Sequence, residues 1–231
     1  MSILLLNGPP FSPLLWEKVQ ERLSKHEQDS FCVNWIEYSG KIDKLMPFLL
    51  KACKQNTCTQ VVAHGLAVPL ALELAQMNPE LKITLSNGPT DHHRIFSLLS
   101  KLPKISLHPS LALPSLASSL AFRRLVINPY VMNRDTIASL SKDILDNPKT
   151  RQHIKEYLKE LQNWKSPKNL TSQEISLIWG TEDFLFPTPK PEQTLFKASL
   201  HLIGGGAHFH PVERPWAIAD QIIKNTMTQM S

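Results

Sequence analysis

Glycine is scarce in this chain. Its 231 residues include 8 glycines and 18 prolines, where average usage would give roughly 16 and about 12. Cysteine is scarcer still: Cys32, Cys53 and Cys58 are the only three. An odd, sparse set builds no disulfide framework, and the absence of a CxxC pair speaks against a zinc site. A reducing, cytoplasmic setting is the simpler expectation. No stretch approaches the ~18 uninterrupted apolar residues of a membrane span. The N-terminal MSILLLNGPP lacks a basic leader region and reads as a strand rather than a signal peptide. A G-x-G-x-x-G turn between strand and helix is also missing, so no nucleotide fingerprint is present. Asp91-His92-His93 and His208-x-His210 stand alone without further residues at metal spacing, and ordinary exposed or hydrogen-bonded histidines explain them better. Neither a cofactor, a metal nor a nucleic-acid partner is expected.

What is present is a globular composition. With 42% hydrophobic and 19% charged residues, the chain can bury one substantial core. A single domain, with room for an insertion, is the natural expectation. The formal net charge of +5 is unevenly spread. Residues 91–170 hold 13 Lys/Arg against 6 Asp/Glu, a net of +7, while the remainder nets −2. A basic middle third suits an anionic partner, such as an acidic protein. A solvated, lysine-rich helical face explains it equally simply.

Hydrophobic patterning gives the order of elements. Ser2–Leu6 is a continuous apolar run, as in a parallel strand buried on both faces. Leu14–Leu23 has helical spacing. Phe31–Tyr38 reads as a second strand, and residues 41–54 as a helix that Pro47 interrupts. Thr59–Ala63 is a third strand, followed by a helix over Leu66–Met77. Lys82–Leu85 is a fourth. Alternation then stops from Asp91 to about Lys168, where helices are expected near Ser115–Leu125, Arg134–Leu145 and Pro148–Trp164. Asn147 is placed to cap the last of these, with Pro148 at its first position. Alternation resumes with strands at Ile175–Trp179 and Ser199–Ile203 and a final helix over Pro215–Met227. The whole predicts an α/β fold: about six mainly parallel strands flanked by helices.

The few glycines fall into place on this frame. Gly8, Gly65, Gly88, Gly180, Gly204, Gly205 and Gly206 all follow the carboxyl end of a predicted strand. Ligands bind along that edge in open parallel sheets.

Four stretches, in the right order, resemble the α/β-hydrolase superfamily over nearly the full chain. LLLNGPP resembles the first strand and its turn. VVAHGLAVPLALELA resembles the nucleophile elbow, G-x-S-x-G. ISLIWGTEDFLFP resembles the acid loop, which places the catalytic acid on Asp183. GGGAHFHPVERP resembles the histidine loop, which places the base on His208. The resemblance implies an α/β-hydrolase core over residues 1–90 and 169–231 and a helical cap over residues 91–168. It also implies a pocket between them that includes Asn7, Gly8 and His64 and takes a small acyl-type ligand.

The sequence departs from the pattern at two points. The elbow reads Ala63-His64-Gly65-Leu66-Ala67, so glycine occupies the nucleophile position and no acyl-enzyme can form there. Glycine readily adopts the backbone conformation that the elbow demands, so the geometry can persist without the chemistry. The superfamily also stabilises the oxyanion with two backbone N–H groups. Leu66 can supply one. The other would come from Pro9, which has none, and Pro10 does not help.

Two functions remain open. One is a degenerate or non-catalytic hydrolase relative that keeps its acyl-ligand pocket and its Asp–His pair. The other is an active esterase, thioesterase or acyltransferase, using Asp183 and His208 with water or a relocated nucleophile such as Ser86, conceivably on an acyl group linked to an acidic carrier. His64 reads as structural, and Cys58 lies at the end of its strand away from the site.

Overall fold

The computed structural model describes residues 2–91, 134–168, 170, 175–190 and 196–227. Six strands form one sheet: β1 (Ser2–Leu6), β2 (Asp29–Cys32), β3 (Cys58–His64), β4 (Lys82–Ser86), β5 (Ile175–Gly180) and β6 (Ala198–Ile203). Their order is β2-β1-β3-β4-β5-β6, and every neighbouring pair is parallel. The chain starts in β1, steps outward to β2, then crosses to β3 on the other side. That reversal is a switch point, and ligands in such sheets usually sit beyond the carboxyl ends of the two strands that flank it, here β1 and β3.

β1 is buried along its whole length because helices cover both faces of the sheet. The two-residue period of the strand sorts its side chains. Leu4 and Leu6 join one core with Val61, Ala63, Ile83 and Leu177, while Ile3 and Leu5 join the other with Val62 and Ile178. Helices α1 (Glu17–Lys25) and α8 (Pro215–Met227) cover the second core, through Val19, Leu23, Ile218 and Ile222. A 3-10 turn over Pro13–Trp16 precedes α1. Helices α3 (Ile42–Gln55) and α4 (Val68–Met77) cover the first core.

One expected strand is shorter than its sequence suggests. The apolar run Phe31–Tyr38 holds the end of β2 and a separate short helix, α2 (Trp35–Tyr38). The Trp35 ring is buried there, and its Nε1–H donates to the carbonyl of Asn7 at 3.0 Å. A helical turn lets Trp35 and Ile36 both face inward, which strand alternation forbids. Pro47 does not end α3: it lies on the exposed face, while Leu45, Met46, Leu49 and Cys53 continue the buried stripe.

Between β4 and β5 stand α5 (Arg134–Asp146) and α6 (Pro148–Asn163). The helix expected near Ser115–Leu125, together with His92 and His93, lies outside the described residues. Asn147 caps α6, its side-chain oxygen accepting from the N–H groups of Lys149 and Thr150. Ile144, Ile154, Tyr157 and Leu161 enter the first core. The Trp164 Nε1–H donates to Glu73 on α4 at 2.7 Å. Gly40 lets α6 pack close, since a β-carbon there would overlap the His153 carbonyl.

Helix α7 (His210–Glu213) is a single turn before α8. Among the described residues no helix is long and apolar enough to cross a membrane.

The end of β5 is held by contact of bare backbone. A β-carbon on Gly180 would overlap the carbonyl of Gly206, whereas one on Gly204 would meet nothing within 4 Å. Gly180→Ala is therefore expected to cost about 1–3 kcal/mol and to lower the melting temperature by roughly 2–12 °C. Gly204→Ala should leave it unchanged. Thermal denaturation of the two variants beside the parent checks this.

Candidate active site

At the carboxyl end of β3 the chain passes from extended backbone at His64 to a 3-10 turn over Gly65–Ala67 and then into α4. Gly65 has φ +59°, in the left-handed region that favours glycine. A β-carbon built on Gly65 would stand 3.8 Å from both Cε1 and Nε2 of His208, in ordinary van der Waals contact. A β-carbon at position 65 would therefore have room beside the imidazole, although the positive φ strains any residue but glycine.

His208 and Asp183 come together as expected. His208 Nδ1 lies 3.1 Å from Asp183 Oδ2, and both residues are buried. The other carboxylate oxygen accepts from the backbone N–H groups of Leu185 (2.8 Å) and Phe186 (3.1 Å). With Asp183 ionised, Nδ1 carries the hydrogen and Nε2 is the basic atom, turned toward Gly65. This is the orientation a general base requires.

The oxyanion side is less complete. A β-carbon on Gly8 would stand 2.5 Å from the Leu66 nitrogen, so glycine at position 8 keeps a side chain off that amide. Pro9 and Pro10 have no N–H to offer. The next amide along, Phe11, donates to the Gly8 carbonyl at 3.3 Å. Position 9 thus offers no N–H beside the Leu66 amide. Asn7 is buried and braces the turn, its amide nitrogen donating to the Phe11 carbonyl.

Three features were not foreseen from the sequence. Ser86, fully buried at the end of β4, bridges two buried histidines: its Oγ lies 2.6 Å from His210 Nε2 and 3.1 Å from His64 Nδ1. Ser86 and His64 are thus held together with His210 in one buried hydrogen-bonded group. Asn87, with φ +39°, spans two loops, its Nδ2 donating to the Ala207 carbonyl and its Oδ1 accepting from Gly180 N–H. The Ser86-Asn87-Gly88 run at a strand end was the available signal, since Asn tolerates positive φ. Third, Tyr157 Oη on α6 donates to the Leu66 carbonyl at 2.8 Å, tying the insertion to the elbow. Burial, with Glu73 nearby, pushes the Tyr157 hydroxyl well above its usual pKa. Among the described residues no group of three or more His, Cys, Asp or Glu side chains is arranged to hold a metal ion.

No family model and no curated protein sequence matches the chain. Solved structures do. The chain superposes on a thermophilic esterase from Thermogutta terrifontis with TM-score 0.69, at 13% identity, over 99% of this chain and 90% of that one. It superposes on the 2-hydroxy-6-oxo-6-phenylhexa-2,4-dienoate hydrolase from Rhodococcus sp. strain RHA1 with TM-score 0.72, at 14% identity, over 96% and 89%. The enol-lactonase from Burkholderia xenovorans LB400 gives TM-score 0.67 at 13% identity, over 96% and 89%. Likeness at this level of identity is likeness of fold.

The buried histidines make stability depend on pH. Burial, then the neighbouring His208, brings His210 down to about 3. Burial, then His208 and His210, holds His64 well below its ordinary value. In the unfolded chain both take up a proton near pH 6.5; in the folded chain they do not until the pH is far lower. Their contribution is thus complete above about pH 6.5 and declines as pH falls toward 3, by up to about 1.4 kcal/mol per pH unit for each histidine. Melting temperatures across pH 7.5 to 4 should drop steeply, and His210→Gln should flatten that slope. Parallel curves for parent and variant would contradict it.

Proposed function

The chain has the α/β-hydrolase fold, and on that premise we propose that it is a hydrolase relative that binds a small acyl-type ligand without serine-type catalysis. Gly65 carries this reading. The elbow backbone holds the left-handed turn, and the space beside His208 Nε2 has room for a β-carbon, yet the residue supplies none. The ligand would sit beyond the carboxyl ends of β1 and β3, covered by residues 91–168 as a cap. The hydrogen bond from Tyr157 to the elbow supports contact between that segment and the site. The net +7 of residues 91–170 suits an acidic protein partner. Three cysteines, all free, support a reducing, cytoplasmic setting.

A second reading rests on the buried Asp183–His208 pair. With Nε2 facing the vacated position, His208 can accept a proton from water as that water attacks an ester or thioester carbonyl, then return it to the leaving alcohol or thiol. No covalent intermediate forms. An esterase and an enol-lactonase among the structural neighbours favour such a substrate class.

Short-chain p-nitrophenyl esters separate the two readings. The parent protein is expected to be silent, and Gly65→Ser to gain turnover that His208→Ala then abolishes. Because Pro9 removes one oxyanion donor, that gain should fall about 10²–10³ short of a site with both donors. Turnover by the parent that disappears in His208→Ala would establish the water-dependent enzyme instead.

A further inference from the structure

The sheet separates the three cysteines. Cys32 packs against the core on one face, while Cys53 and Cys58 belong to the core on the other. Nothing in the hydrolase reading uses them. Cys53 lies in the last turn of α3, and Cys58 opens β3. Only Asn56 and Thr57 stand between helix and strand.

The form of that turn determines where its ends meet. Asn56 caps the helix, and the Thr57 N–H donates to the Lys54 carbonyl at 3.3 Å. Thr57 has φ +48°, in the left-handed region. A left-handed residue just after the cap, bonded back to the second-last helical carbonyl, is a Schellman-type ending. It folds the residue two beyond the cap onto the third-last residue of the helix. Here those residues are Cys58 and Cys53. An apolar pair commonly fills the two positions; this chain fills them with two thiols.

Hydrogen bonding gives the two sulfurs different characters. Cys58 is half-buried, and its S–H donates to the Gln60 carbonyl at 3.1 Å. The hydrogen that the two sulfurs share therefore comes from Cys53, which is only 4% exposed. That bond from Cys53 holds the Cys58 thiol below its ordinary pKa, against the effect of burial. The same bond, and then burial, pushes Cys53 up. Cys58 is the sulfur that ionises and that solvent reaches, with Cys53 directly behind it.

We infer that Cys53 and Cys58 form a peroxide-oxidisable pair, a site of reversible disulfide modification at the junction of α3 and β3. The Cys58 thiolate attacks one oxygen of hydrogen peroxide. An S–O bond forms, the O–O bond breaks, and the departing hydroxide takes up a proton to become water. The Cys53 sulfur then attacks Cys58. An S–S bond forms, the S–O bond breaks, and the Cys53 proton leaves with the hydroxyl as a second water. The sulfurs give up two electrons and the peroxide oxygens gain them. Cys32 takes no part: it stands across the sheet, and burial pushes its thiol up to about 12.

Hydrogen peroxide treatment of the folded full chain, followed by thiol titration and tryptic mapping, tests this. Two of the three thiols should disappear, with the loss of two hydrogens from the chain. Tryptic peptide 52–54 should be recovered joined to peptide 55–82, and dithiothreitol should restore both thiols. Cys53→Ser should leave Cys58 as a sulfenic acid that dimedone traps, and Cys58→Ser should slow thiol loss by about tenfold or more. The peptide map of the parent is decisive even where a variant fails to fold. Survival of all three thiols, a disulfide that includes Cys32 or joins two chains, or a Cys58 sulfenic acid that persists in the parent would each overturn the proposal.

Discussion

At the carboxyl edge of the sheet, loops meet backbone to backbone with no side chain between them. Gly8 lies against the Leu66 amide, Gly88 against the Gly65 carbonyl, and Gly180 against the Gly206 carbonyl. A β-carbon at any of the three would push apart strands that are already hydrogen-bonded along their length. The close approach of the loops after β1, β3 and β4, and of those after β5 and β6, depends on that absence of side chains. Glycine is rare elsewhere in the chain because the helices and strands do without it. The one glycine away from this edge, Gly40, serves the same need, giving α6 room to pack.

The sheet was legible because its signal is local. A parallel strand covered on both sides carries a continuous apolar run, and β1, β3 and β5 do, at residues 3–6, 61–63 and 177–179. The meeting of Asp183 with His208 and the turn at Gly65 were legible because each sits at a strand end with distinctive neighbours. What escaped was set by partners distant in sequence. Trp35 turned an apolar run into a helix because its indole reaches the Asn7 carbonyl. Ser86 and His210 are 124 residues apart, and no period or spacing links them. Tyr157 looked like one more apolar residue on an amphipathic helix until its hydroxyl met Leu66.

The two halves of the region around Gly65 differ. On one, Asp183, His208 and the Gly65 position stand in line. On the other, the turn after β1 has Pro9 and Pro10, which carry no N–H, and the Phe11 amide is already engaged. Acyl transfer through a tetrahedral intermediate needs both halves. Binding an acyl-type ligand needs neither in full.

Asp183 has more than one occupation. One oxygen holds the Leu185 and Phe186 amides in the turn after β5, and the other meets His208, with both residues out of solvent. Asn87 fixes the two loops that carry them by clasping Gly180 on one side and Ala207 on the other. Deleting either member of the pair would strand a buried polar group and loosen a turn. The Asp183–His208 pair is therefore also a fastening: it pins the turn after β5 to the loop after β6 whatever stands beside its outer nitrogen.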